Sequence, residues 1–269
     1  MQLSKSDWNQ NEKDELVLAS AKHFTLSCHC SRARLSAIMT REKVMGEAIK
    51  LSVSDGFEIG GYRADPEKEL RGGVVVIQEI FGVNVHIRDV CERYAALGYR
   101  AVAPALYDRY EPGFEIGYSA GDISIGREFK AKANENFDDV LKDVNAAHAL
   151  AAEAGRVGII GFCWGGVVTW AAACRLDFQA ASSFYGAGII PMLDGKPNCP
   201  TILHFGSKDA SIPMDEVEQI AATHPDCPIH IYDAGHGFNC DRRGDYSPHS
   251  AAISAMRTIR LFDEQLDQD

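Results

Sequence analysis

The segment Gly161-Phe162-Cys163-Trp164-Gly165-Gly166 constrains this chain more tightly than any other. Before it, Val157-Gly158-Ile159-Ile160 is a short apolar run of the kind that forms a buried strand. After it, Val167 to Cys174 reads as an apolar helix packed against a sheet. A strand that passes into a helix through Gly-x-Cys-x-Gly makes a sharp bend and raises one side chain, here Cys163, above the sheet. Glycines flank such a bend because strand and helix pass too close for a Cβ. A Gly-rich turn around a buried structural cysteine has the same local pattern, so the rest of the chain must decide between the two readings.

Strand and helix signals alternate along most of the remaining sequence. Ile49 to Val53 and Phe57 to Ile59, separated by Ser54-Asp55-Gly56, predict an antiparallel hairpin at a sheet edge. Gly73 to Ile77 and Arg100 to Ala103 read as strands covered on both faces. Between them a helix runs from about His86 to Leu97 and ends at Gly98. Ala105 to Gly126 is expected to be a long connection, followed by one long amphipathic helix from about Arg127 to Glu153. Further strands are expected at Ala180–Phe184, Thr201–Phe205 and Ile229–Tyr232, with helices near Met214–Ala222 and Ser247–Leu266. This alternation predicts an α/β fold, a mostly parallel central sheet with helices on both faces. Residues 45–269 are expected to form that domain. Residues 1–44, weakly periodic and polar, read as an N-terminal extension, with Met39 or Met45 as an alternative start.

Composition narrows the function classes. With 27 Lys and Arg against 38 Asp and Glu, the net charge is −11, which disfavours nucleic acid as a partner. No run approaches the roughly 20 apolar residues that span a bilayer, and no basic start with a long apolar stretch marks a secretory signal. The eight cysteines are scattered, without paired Cys-x-x-Cys clusters, as in a reduced cytoplasmic protein. His23, Cys28, His29 and Cys30 lie close together, but their spacing matches no established zinc pattern. No metal is therefore expected.

Ligands of parallel sheets bind beyond the carboxyl ends of the strands. Three reactive residue types fall there: Cys163, Asp209 in Gly206-Ser207-Lys208-Asp209, and His236 in Ala234-Gly235-His236-Gly237-Phe238. A thiol with a pKa of about 8.5 is mostly protonated at neutral pH. An imidazole can take that proton, and a carboxylate can fix the imidazole's tautomer. Nucleophile, acid and base in this chain order is the arrangement of α/β-hydrolases.

The resemblance becomes specific in Gln78-Glu79-Ile80-Phe81-Gly82, Ala105-Leu106-Tyr107, the cysteine bend, Phe184-Tyr185-Gly186, and the segments around Asp209 and His236. From about Met45 onward the chain resembles the dienelactone hydrolase (carboxymethylenebutenolidase) family of the α/β-hydrolase fold. That resemblance implies Cys163 as nucleophile, His236 as base, Asp209 as its orienting acid, and Glu79 as the acid that keeps the resting thiol protonated. It implies an oxyanion hole from the backbone N–H groups of Ile80 and Trp164. Family members that act on carboxylate-bearing lactones share two pocket arginines, for which Arg127 and Arg242 stand nearest here. Tyr107, Tyr185 and Phe238, within the matching segments, are the other substrate-binding candidates. The implied activity is opening of a lactone or related ester through a cysteine acyl-enzyme, without metal or organic cofactor, in a monomer or small homo-oligomer. Alternatives are a general carboxylesterase or thioesterase, or a non-catalytic, binding or thiol-sensing descendant of the fold.

Overall fold

The computed structural model describes residues 45–67 and 70–267, all within one compact unit, Lys43–Asp269. The expected extension, residues 1–44, and its His23, Cys28, His29 and Cys30 lie outside the described residues.

Eight strands form one sheet: β1 (Glu47–Ser52), β2 (Glu58–Ala64), β3 (Gly72–Ile77), β4 (Tyr99–Pro104), β5 (Val157–Phe162), β6 (Ala180–Phe184), β7 (Thr201–Gly206) and β8 (Ile229–Tyr232). Their order across the sheet is β1-β2-β4-β3-β5-β6-β7-β8. Only β2 runs against its neighbours; from β4 to β8 every pairing is parallel. The predicted edge hairpin is thus present, with Leu51 opposite Ile59.

Six α-helices belong to the described residues: α1 (Val85–Ala96), α2 (Ala120–Glu135), α3 (Phe137–Ala152), α4 (Trp164–Arg175), α5 (Met214–Thr223) and α6 (Pro248–Leu266). The strand period of two separates the core into two layers. Val74 and Val76 of β3 face a cluster with Ile87, Val90 and Tyr94 of α1 and Phe262 and Leu266 of α6. Val75 and Ile77 face the opposite cluster, with Val140, Val144 and Ala147 of α3 and Val168 and Ala172 of α4. All six residues of β3, β5 and β7 are buried, as in a sheet covered on both faces.

The long helix expected from Arg127 to Glu153 is instead two helices that meet at Asn136. Asn136 leaves helical geometry at φ −124° and ψ 45°, and its side-chain amide donates to the Lys132 carbonyl. That local bond competes with the continuing helix, a habit of asparagine. α2 also begins earlier than expected. Ser119 and Asp122 close a capping box, each side chain taking the other's backbone N–H, so the connection after β4 ends at residue 119. The break lets α3 lie on the sheet while α2 reaches the bend after β5, where Asn134 accepts from the Trp164 indole at 2.9 Å.

Candidate active site

The bend between β5 and α4 carries its strain at Cys163, with φ 55° and ψ −118°. Such a conformation costs of order 1–3 kcal/mol in a residue with a Cβ, and surrounding contacts must hold it. Two glycines make the bend possible. A Cβ on Gly161 would lie 2.1 Å from the Gly165 carbonyl oxygen, and one on Gly165 would lie 2.4 Å from the Gln78 carbonyl oxygen. The helix therefore starts directly above the neighbouring strand β3. Cys163 donates its own N–H to Phe184 at the end of β6, which fixes the bend to the sheet rim.

Two further loops converge on that rim. The loop after β8 brings His236 Nε2 to 3.1 Å from Cys163 Sγ. The loop after β7 brings Asp209 Oδ2 to 2.7 Å from His236 Nδ1. Asp209 is itself held, accepting the Ser211 N–H through Oδ1 at 2.8 Å. Cys163 is part-exposed, the His236 side chain keeps 15% of its surface, and the Asp209 side chain keeps none. Solvent can reach the sulfur while the carboxylate stays dry. Burial opposes charge on His236, but the hydrogen bonds to Asp209 and Cys163 outweigh it and push the imidazole up to about 10. An imidazole so placed can accept the thiol proton and keep it.

Glu79 lies just beyond β3 with 1% of its surface exposed. Its Oε1 accepts from Arg243 Nη1 at 3.0 Å, while Oε2 has no hydrogen-bond partner. Burial pushes this carboxyl above the usual range, against the pull of Arg243 and His236. The Cys163 sulfur lies against His236 and the Glu79 carboxylate against Arg243. A guanidinium is a strong partner for a buried carboxylate.

Neither expected arginine takes a place in this cluster. Arg127 is exposed on α2, and Arg242, half exposed, pairs with Asp89 at 3.2 Å and with Asp241. The arginine at the site is the next residue, Arg243, whose side chain is 16% exposed. It lies across Gly237, where a Cβ would stand 2.7 Å from the guanidinium, and over the Phe81 ring at 5.8 Å. Gly237, at φ +83°, thus clears the space beside His236 that Arg243 fills.

The aromatic candidates divide. Tyr185 follows β6 at φ 38°, strained for a residue of its size, with its N–H held by the His204 carbonyl. That conformation sets its ring edge-to-face with the His236 ring, centroids 5.2 Å apart. Tyr107 stacks on Trp164 with centroids 5.1 Å apart. Both phenols are fully buried and both hydroxyls lack partners. Phe238, in contrast, packs among Phe184, Tyr185 and Tyr232 in the core and offers no surface to a ligand. Ile80 is buried, with its carbonyl turned toward Gly126 of α2, and Trp164 opens α4. A helix start directs N–H groups at the atom before it, a favourable setting for negative charge.

Residues 59–266 match the family model described as the dienelactone hydrolase family. A provisionally named carboxymethylenebutenolidase of Synechocystis sp. is 39% identical over 234 residues, covering 79% of this chain and 94% of its own. Carboxymethylenebutenolidase 1 of Cupriavidus pinatubonensis is 26% identical over 81% of this chain and 97% of its own. The crystal structure of a provisionally named dienelactone hydrolase from Klebsiella pneumoniae superposes with a TM-score of 0.69 at 32% identity, over 82% of this chain and 99% of that one. A Pyrococcus furiosus esterase shares the fold at a TM-score of 0.60 and 12% identity, over 83% of this chain and 94% of its own. The doubly covered sheet is that of the α/β-hydrolases, and the chain is a hydrolase-type enzyme that belongs to the dienelactone hydrolase family.

Proposed function

We propose that this enzyme opens a lactone or related carboxylic ester through a thioester on Cys163. The observation that carries the proposal is the unbroken chain from Cys163 Sγ through His236 to Asp209, at 3.1 and 2.7 Å, on the carboxyl rim of a parallel sheet. His236 Nε2 takes the thiol proton as sulfur attacks the carbonyl carbon, and Asp209 steadies the imidazolium. The N–H groups of Ile80 and Trp164 receive the oxyanion. The ring C–O bond then breaks, and the leaving group, as alkoxide or as enolate, takes the proton back from His236 and frees the imidazole. His236 next draws a proton from water, whose oxygen attacks the thioester, and Cys163 leaves with the proton restored. The side chain of Arg243, which keeps some exposed surface, would meet the polar edge of the substrate.

The names of the relatives point to a carboxymethylenebutenolide, a lactone bearing a carboxylate. A second reading, a carboxylesterase or thioesterase for uncharged acyl groups, is favoured by the engagement of Arg243 with Glu79. The free cysteines among the described residues suit a reducing compartment, and we assign the chemistry to the cytoplasm on that ground. No described helix is long and apolar enough to cross a membrane. Comparison of kcat/KM for dienelactone and for p-nitrophenyl acetate separates the two readings. The first predicts a clear preference for dienelactone; hydrolysis of the acetate alone would establish the second. Equal, undetectable rates for wild type and Cys163→Ala across an ester panel would overturn both.

A further inference from the structure

Three side chains that no step above requires as a group meet next to the site. Glu79 lies in the loop after β3, His86 in the first turn of α1, and Cys240 in the loop between β8 and α6. One ligand-type atom from each lies within 4.8 Å of the other two, and all three residues are buried. Glu79 Oε2 and both ring nitrogens of His86 have no hydrogen-bond partner, at 1% and 0% exposure. An imidazole buried with neither nitrogen satisfied is costly, and native interiors rarely leave one so. Cys240 has only a weak bond of 3.5 Å to the Tyr118 oxygen.

We propose that Glu79, His86 and Cys240 bind a zinc-like divalent metal ion beside the hydrolytic site. Sulfur, imidazole and carboxylate form the mixed donor set that borderline ions such as Zn²⁺ prefer. Arg243 engages Glu79 Oε1 and leaves Oε2 available. His86 Nδ1 faces Asp241 Oδ1 at 3.8 Å, so a carboxylate can orient the imidazole from behind, as around many bound zinc ions. Asp241 is 45% exposed and marks the side from which an ion would enter.

Bonded ligands of tetrahedral zinc stand about 3.5 Å apart, so the trio must close by roughly an ångström. Side-chain rotation of Glu79 and Cys240 supplies a movement of that size. On binding, the Cys240 S–H bond breaks, its proton passes to solvent, and a sulfur–metal bond forms without change of oxidation state. A water molecule would complete the coordination. Because Glu79 belongs to both sites, occupancy would couple the metal to the hydrolysis proposed above, while the binding itself does not depend on that reading.

The test uses the full chain, freed of metal by a chelator and titrated with Co²⁺ in place of Zn²⁺. A thiolate-to-cobalt charge-transfer band should rise to saturation at one equivalent and disappear when Zn²⁺ is added. The band should be lost in Cys240→Ser, and His86→Gln should weaken cobalt affinity at least about tenfold. It should persist in a Cys28→Ser, Cys30→Ser, Cys163→Ala variant, which removes the N-terminal thiols and the proposed nucleophile. Far-UV circular dichroism confirms that each variant is folded, and Glu79→Gln replaces any that is not. Absence of the band in wild type, or its survival unchanged in folded Cys240→Ser, would overturn the proposal.

Discussion

Glu79 and Arg243 form the pair in which a single substitution has the sharpest consequence. Each is largely buried, and each carries a charge that the other offsets. Removing Arg243 strands a carboxyl that burial already holds above its usual range and leaves its charged form without a partner. Arg243→Met should cost about 3 kcal/mol in urea unfolding, and adding Glu79→Gln should recover most of that loss. Losses that simply add in the double variant would show that the two charges are not coupled. Choosing Arg243 over Arg242 from the sequence was beyond reach. In a turn, one residue of register decides which of two adjacent arginines points inward, and only the clearance at Gly237 hints at the answer. The meeting of Cys163, Asp209 and His236 on one rim is legible because each follows a strand with a strong local signal.

Among the elements, the passage from β5 to α4 bears the most constraint. Its glycines pack backbone against backbone, so no side-chain rotation can relieve an added methyl group. Gly165→Ala should destabilise the fold by about 3 kcal/mol or more and displace the Cys163 sulfur, lowering kcat together with stability. Wild-type stability and kcat in Gly165→Ala would contradict the 2.4 Å approach to Gln78. Strands and the bend were readable because their signals are local: apolar runs, glycines and turn residues. The division into α2 and α3 is not legible in the periodicity, since Asn136 interrupts an apolar stripe that otherwise continues. The Ser119–Asp122 capping box was the local signal that could have placed the start of α2. The gathering of Glu79, His86 and Cys240 has no such signal, because two separate loops and the first turn of α1 create it.

For the whole molecule, the buried sheet imposes a pH dependence on stability. His204 of β7 is fully buried, between Tyr232 and Thr258, and burial holds its imidazole neutral far below the usual range. The unfolded chain takes up a proton there below about pH 6.5, and the native chain does not. Stability from this residue is therefore full above that pH and falls as pH decreases, by about 1.4 kcal/mol per pH unit. In urea unfolding between about pH 5 and 6.5, His204→Gln should remove that slope relative to wild type. Parallel profiles would contradict a neutral native His204. The same sheet sets Cys163, Asp209 and His236 on one rim, and the proposed thioester is where fold and chemistry meet. Mass spectrometry after rapid quenching of the enzyme with p-nitrophenyl acetate reads that intermediate directly. An acetyl group should appear on the peptide holding Cys163 and vanish in Cys163→Ala together with turnover. Undiminished turnover in Cys163→Ala, or an acetyl group carried by another residue, would contradict cysteine as the nucleophile.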